Sequence, residues 1–348
     1  MDKTRNLSFD IAKGIIIILM VLGHSGCPNY LNTVCYLFRM PCFFLISGCL
    51  LNEKHFDNKK RFVKRKIKGL YKPFIKWSFI FLLLHNVFFH LHFYDKLYSF
   101  ADFKFKTFQI LTMTGTEQLL GGFWFLKELL YASIIGFFVI YSLKRFIEKK
   151  YYPLLLLGVS LGFILLAYLS SIFPFKIPTI GSKTLMACSY YTMGYLIRVI
   201  KLKIPNYWLI PFCLLLTPIP LFFQGSMDVV GTDIFIYDLS SLIGCGIVLC
   251  ISDILSNYKK VTHRLSRIGQ STLYILIFHF TSLKIVSLLI ILLNDLPISQ
   301  LSSFPTLPSA RKYIWIVYGF VGVLIPYLIW ESKNKVESML IKNSSVKL

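Results

Sequence analysis

Ten stretches of this chain are nearly free of charge: 9–25, 31–51, 73–93, 122–143, 152–172, 184–200, 206–223, 236–255, 268–293 and 312–330. Apolar runs of roughly 17–25 residues cross the ~30 Å hydrocarbon layer as helices, so the pattern predicts ten membrane spans. Two runs are interrupted, the third by His85, Asn86 and His90 and the seventh by Pro211, Pro218 and Pro220. Proline is tolerated in a membrane helix when neighbouring groups satisfy the carbonyls it frees, and both runs are kept as spans.

Composition agrees with that reading. Of the 348 residues, 55% are hydrophobic and 16% charged, and the mean hydropathy is +0.64. A soluble domain needs a more polar surface, so the expected fold is an all-α, polytopic membrane protein. It forms one membrane-embedded domain over 1–348 that ends in a short tail, 333–348. With the N-terminus inside, the inner segments carry 26 Lys and Arg and the outer segments 7, out of 38. Cytoplasmic loops carry the Lys/Arg excess, so both termini are expected in the cytoplasm of a cell whose plasma or inner membrane holds the protein. The net charge of +22 is then mainly a topology signal directed at anionic lipid. Nucleic acid is not an expected partner.

One segment is more basic than topology requires. Residues 59–72 hold Lys64, Arg65, Lys66 and Lys68 among eight cations. This pattern suits an interfacial amphipathic helix first, and is compatible with a receptor for the phosphates of a cytosolic donor.

Charged or titratable groups inside the membrane are costly and mark candidate sites. In the first run, Lys13 and His24 lie three helical turns plus about 20° apart, on one face with ~16 Å of rise between them. Lys13 is expected ~6 Å above the inner face and His24 ~22 Å above it. Arg39 in the second run, Trp124, Lys127 and Glu128 in the fourth and His279 in the ninth fall mostly in the outer half. Arg39 has Glu128 as its expected counter-ion. Asp10 can neutralise Lys13 as an i,i+3 neighbour, and His85, His90 and His92 are expected to face the interface. His24 follows Gly23 at the outer helix end, where an imidazole can act as base or nucleophile toward a substrate. Cys27 and Cys35 lie near the outer side and could pair. No CxxC spacing indicates a metal site.

Arg5-Asn6-Leu7-Ser8-Phe9-Asp10-Ile11-Ala12-Lys13-Gly14, followed by Leu22-Gly23-His24-Ser25, resembles the opening of the membrane acyltransferase 3 family. Phe38-Arg39-Met40-Pro41-Cys42-Phe43-Phe44-Leu45-Ile46-Ser47-Gly48 is similar to its second span, Lys64-Arg65-Lys66-Ile67-Lys68-Gly69-Leu70-Tyr71-Lys72-Pro73 to its basic loop, Phe123-Trp124-Phe125-Leu126 to its Trp-Phe-Leu segment, and Ser271-Thr272-Leu273-Tyr274-Ile275-Leu276-Ile277-Phe278-His279 to its late helix. Members of the family O-acylate polysaccharides and other cell-surface molecules. The resemblance implies an acyl-CoA donor, usually acetyl-CoA, used as a substrate rather than held as a permanent cofactor. It implies a hydroxyl acceptor on a surface glycan or lipid-linked sugar, and His24 as the catalytic residue. Many members carry arginine at the position of Lys13 and histidine at that of Arg39. On this reading the donor phosphates meet Lys64, Arg65, Lys66 and Lys68, and its pantetheine arm passes Lys13. Arg39, Trp124, Glu128 and His279 bind the acceptor. The alternative is an exporter of a polysaccharide or lipid-linked sugar that uses the same polar residues as a path.

Overall fold

The computed structural model describes residues 7–173, 179–308 and 313–345. The expected loop cations Lys3, Arg5, Lys176, Arg311, Lys312 and Lys347 lie outside these residues, as do Arg5-Asn6 of the first motif and the last three residues of the tail. Every described apolar run contains helix. In chain order the α-helices are α1 (Leu7–Leu22), α2 (Asn29–Cys49), α3 (Lys54–Asp57), α4 (Lys59–Lys66), α5 (Lys72–Leu83), α6 (His85–His90), α7 (Phe100–Leu111), α8 (Trp124–Phe146), α9 (Tyr152–Ile172), α10 (Ser182–Val199), α11 (Leu209–Leu216), α12 (Asp233–Ser256), α13 (Lys259–Gln270), α14 (Thr272–Leu293) and α15 (Trp315–Ser345).

Among the described residues six segments are long and apolar enough to cross a membrane: Asn29–Cys49, Gln118–Phe146, Tyr152–Ile172, Asp233–Ser256, Thr272–Leu293 and Trp315–Leu340. The seventh run, the one with three prolines, yields only the eight-residue α11 between 3-10 turns, as expected where proline removes amide donors. The ninth run is split at Ser271, where α13 stops and α14 begins. The segment expected as a tail continues α15 as helix to Ser345.

α1 sits at the centre, against α2, α12, α13, α14 and α15, while α10 packs on α2, α8 and α9. Two crossings are closed by paired glycines. A Cβ on Gly48 of α2 would strike the Tyr191 carbonyl, and one on Gly194 of α10 would strike the Leu45 carbonyl. Gly14 of α1 and Gly269 of α13 meet in the same reciprocal way through Leu265 and Asp10. Small residues let membrane helices approach to backbone contact where lipid supplies no hydrophobic drive. Gly48→Ala is therefore expected to destabilise the bundle by about 1–3 kcal/mol, visible as a lower thermal unfolding midpoint in detergent. An unchanged midpoint would mean that the α2–α10 crossing can open without cost.

The third run departs most from expectation. The helix begins well before residue 73: α4, a π-helical turn at Ile67–Tyr71 and α5 follow one another without a break, and Leu84 separates α5 from α6. Phe62 stacks on Phe137 at 4.1 Å between centroids, and Phe74 meets Phe123 at 5.7 Å. Residues 59–71 thus run antiparallel along α8, with Phe74 reaching the turn before it, and the basic stretch expected in an inner loop lies beside a spanning helix. Its apolar residues, Phe62 and Phe74 foremost, bury one face. The lysines between them dilute the hydropathy that would otherwise have marked the span.

Candidate active site

The turn that ends α1 places His24. The Gly23 amide donates to Leu19 O, and the His24 amide to Val21 O. The His24 ring lies 4.9 Å from Phe280 and 5.6 Å from His279, centroid to centroid. Phe280 is backed in turn by Phe304 at 4.6 Å. α14 supplies His279, which is fully buried. His279 Nδ1–H donates to the carbonyls of Ile275 and Leu276 at 3.0 and 3.1 Å. This fixes the tautomer and leaves Nε2 as a buried acceptor without a partner.

Arg39 reaches the same place from α2. Its guanidinium lies 3.7 Å above the Tyr36 ring, and Nη1 donates to Leu19 O and Asn32 Oδ1, both at 3.3 Å. Nε is buried and unpartnered. The group occupies the space a side chain at Gly23 would fill, since a Cβ there would overlap Nη1. Arg39 is 2% exposed, and among the described residues no carboxylate pairs with it. The ion pair expected with Glu128 does not form. Glu128 accepts the Thr184 hydroxyl and sits 3.5 Å from Lys127, because α10 rather than α2 covers that face of α8.

His24, Arg39 and Trp124 line a common cavity of about 170 Å³, together with Met20, Tyr36, Gly122, Asp228 and Tyr237. Trp124, at the start of α8, also lines a second cavity of about 1100 Å³ that includes Lys127, Glu128, Lys183 and Thr184. The Lys183 ammonium lies 4.4 Å from the Trp124 ring and pairs with Asp228 at 2.5 Å. Trp124 therefore stands between the catalytic candidates and the larger space.

Four residues singled out in the sequence thus meet: His24, Arg39 and Trp124 around the cavity, and His279 against His24. Glu128 faces the larger cavity. Lys13 lies toward the other end of α1, paired with Asp10 at 2.7 Å. Of the residues on its face, Met20 borders the His24 cavity while Ile17 is packed in the core. Lys64, Arg65 and Lys68 are exposed and Lys66 half-buried along the helix beside α8. Arg65 Nη1 is 3.4 Å from His55 Nε2, and the Lys66 ammonium 5.8 Å from the Tyr191 ring.

Two further expectations are overturned. Cys27 and Cys35 are free thiols. His85 does not face the interface: it is buried, with Nδ1 2.6 Å from Glu117 Oε2, Nε2 2.9 Å from Lys96 O, and its ring stacked against Tyr94 and Tyr98. Glu117 immediately precedes the 3-10 turn that leads to Trp124, so this pair anchors the approach to α8. Tyr36, Asp228 and Tyr237 were not singled out in the sequence. Asp228 and Tyr237 lie some two hundred residues from Arg39, and only the packing of α12 on α2 brings Tyr237 to Tyr36, whose carbonyl accepts its hydroxyl at 3.2 Å.

The family described as "Acyltransferase domain" matches residues 6–331, nearly the whole chain. Two curated relatives are similar over part of it. Nodulation protein NolL of Sinorhizobium fredii is 30% identical over 145 residues, 38% of this chain and 36% of that protein. Nodulation protein NolL of Mesorhizobium japonicum is 26% identical over 160 residues, 41% of this chain and 37% of that protein. The aligned stretch thus spans little more than a third of either relative. No solved structure matches the chain significantly.

Proposed function

Because the chain belongs to this acyltransferase family, we propose that it is a multi-pass enzyme of the cell membrane that moves a short acyl group, acetyl in the first instance, from acyl-CoA to a hydroxyl of a cell-surface polysaccharide or sugar. The observation that carries the proposal is the meeting of His24, Arg39 and Trp124 in one cavity inside the matched region. An exporter would need a path through the bundle but no base and cation converging on one point. The family match favours the enzyme.

His24 takes the proton of the acceptor hydroxyl as its oxygen attacks the thioester carbonyl. A C–O bond forms, and the carbonyl electrons move onto oxygen, where the Arg39 guanidinium stabilises them. Collapse of this intermediate breaks the C–S bond, and His24 returns the proton to the departing thiolate. The Nε2 lone pair of His279 offers an acceptor for the second ring N–H of His24, the orienting task of the third member in a nucleophile and base arrangement. Trp124 presents a flat apolar face to the sugar ring. The cavity's 170 Å³ is small beside the 1100 Å³ of its neighbour, which suits an acetyl group and a hydroxyl better than a long acyl chain.

Donor phosphates are assigned to Lys64, Arg65, Lys66 and Lys68. The antiparallel course of residues 59–71 along α8, with Phe74 reaching Phe123 just before Trp124, supports a donor lying along this helix with its thioester inward. The π-helical turn at Ile67–Tyr71 widens the helix at the cluster, and such turns recur at functional sites. Lys13 is assigned to the pantetheine arm. Neutralising the four cations together is expected to raise the KM for acetyl-CoA at least tenfold and leave acceptor dependence nearly unchanged. An unchanged KM in a properly inserted variant would make the cluster a lipid anchor. The function itself is tested by incubating membranes that contain the protein with radiolabelled acetyl-CoA and following label into glycan. Label incorporation equal to that of membranes lacking the protein would refute it.

A further inference from the structure

We propose that Lys284 is a positioning residue of the acyl-transfer site: it fixes a strap, residues 298–307, whose Phe304 supports the His24 ring from behind and keeps water away from it. This inference rests on the acyltransferase reading and adds a residue that the sequence motifs leave unassigned.

Lys284 lies on α14, five residues beyond His279, and is 0% exposed. A lysine inside an apolar spanning helix is costly and marks a task. Its Nζ donates to the carbonyls of Leu301 and Ser303, both at 2.6 Å, and lies 5.8 Å from the Phe304 ring. All three partners belong to the strap. The strap is also held by apolar contact, since Leu301 and Leu307 are buried with Ile291 of α14, and the Leu307 amide donates to the Tyr318 hydroxyl of α15 at 3.5 Å. Apolar contact is non-directional and leaves the middle of the strap free to rotate. Two short bonds to one nitrogen are directional, so Lys284 decides where Phe304 falls.

From Phe304 the contact passes to the base in two steps. Its ring is 4.6 Å from that of Phe280, and Phe280 is 4.9 Å from His24. Thr306 stands beside the turn that follows His24, its hydroxyl 3.5 Å from the place a Cβ on Gly26 would take. The cavity that His24 shares with Arg39 and Trp124 is lined by neither Phe280, Phe304 nor Thr306, so these residues back the ring while substrates meet its other side. Water is the competing nucleophile there. With His24 as base, a water oxygen would attack the thioester carbonyl, the C–S bond would break, and the proton would pass through His24 to the thiolate, giving acetic acid and free CoA. Excluding water from a closed site suppresses such side reactions.

The strap is tested first without reference to activity. Thr306, which is half-buried, is replaced in Thr306→Cys and labelled with a polar maleimide in the purified full chain in detergent, the native thiols being subtracted with the parent protein. Adding Lys284→Met is expected to speed labelling about fivefold or more, as a locally opened segment would. Equal rates would show that the strap stays in place without Lys284 and would overturn the inference, whatever the enzyme does.

In membranes given radiolabelled acetyl-CoA, Lys284→Met is expected to lower transfer to glycan about ten- to a hundredfold through a misplaced base, with the KM for acetyl-CoA little changed. Label released as acetate should rise about fivefold or more relative to label transferred. A lysine needed only for folding would lower both products together, and an unchanged ratio would overturn the inference while the acyltransferase reading stood. Lys284→Gln, whose amide can still donate to both carbonyls, should recover part of the transfer. Phe304→Ala keeps the test decisive if Lys284→Met misfolds, because Phe304 is 36% exposed and its loss puts little packing at risk. It should reproduce the rise in acetate, and a wild-type ratio would count against the proposal. Wild-type membranes that yield label in neither product would sink the acyltransferase reading and this role with it.

Discussion

Alanine at His24 is expected to lower acyl transfer by about two to four orders of magnitude, the usual contribution of a positioned general base, while the protein remains folded and inserted. The contacts at risk are modest. His24 lies on the turn after α1 and meets Phe280 and His279 through its ring, whereas the central packing of α1 is carried by Ile11, Ile16, Ile17 and Val21, all buried. The rate of transfer from labelled acetyl-CoA, normalised to protein in the membrane, checks this. His24→Gln preserves much of the shape and one donor but cannot accept the proton, and should be as inactive as the alanine variant. Activity near wild type in either variant would remove His24 from the chemistry. His279→Ala should be milder, because it removes the orienting acceptor and leaves the base.

The sequence already contained most of the helices and the core of the site, for identifiable reasons. A lysine and a histidine on one face of an apolar helix stand out because charge in lipid is rare, and the loop cations set a direction. Arg39 and His279 were visible on the same ground, and Trp124 through the resemblance of Phe123-Trp124-Phe125-Leu126 to the family's Trp-Phe-Leu segment. Their partners were not. The Arg39–Glu128 pair was inferred from depth alone, and depth does not say which helix covers which face: Thr184 of α10 reaches Glu128 first. His85 looked like an interfacial histidine because its carboxylate, Glu117, lies thirty-two positions away across α7. The basic stretch was expected at the inner interface rather than beside a spanning helix because hydropathy averages over both faces, whereas Phe62 needs only one face to pack on Phe137 of α8 and Phe74 to meet Phe123 just before it.

The second large effect is expected at Arg39, and its sign on stability separates catalysis from structure. Arg39 is a buried cation whose hydrogen bonds go to Leu19 O and Asn32 Oδ1, with Nε left unpartnered. A charge buried this way costs several kcal/mol unless it is well paired, so a purely structural role would be a poor use of it. A positive group held beside the base before any charge develops is what a tetrahedral oxyanion requires. Loss of one such donor typically lowers kcat about 10²–10³-fold. Arg39→Met should therefore depress kcat by that order, shift the KM for acetyl-CoA little, and leave the unfolding midpoint unchanged or raised, since the desolvation cost disappears along with the charge. Arg39→Lys keeps the charge without the planar fork and should recover part of the rate. Gly23→Ala provides an independent approach: its Cβ would overlap Nη1, so it should displace the guanidinium and reproduce the kcat loss with Arg39 still present. A variant at Arg39 that lost stability and activity in proportion, or a Gly23→Ala enzyme of full activity, would assign the arginine to packing and leave the oxyanion to another group.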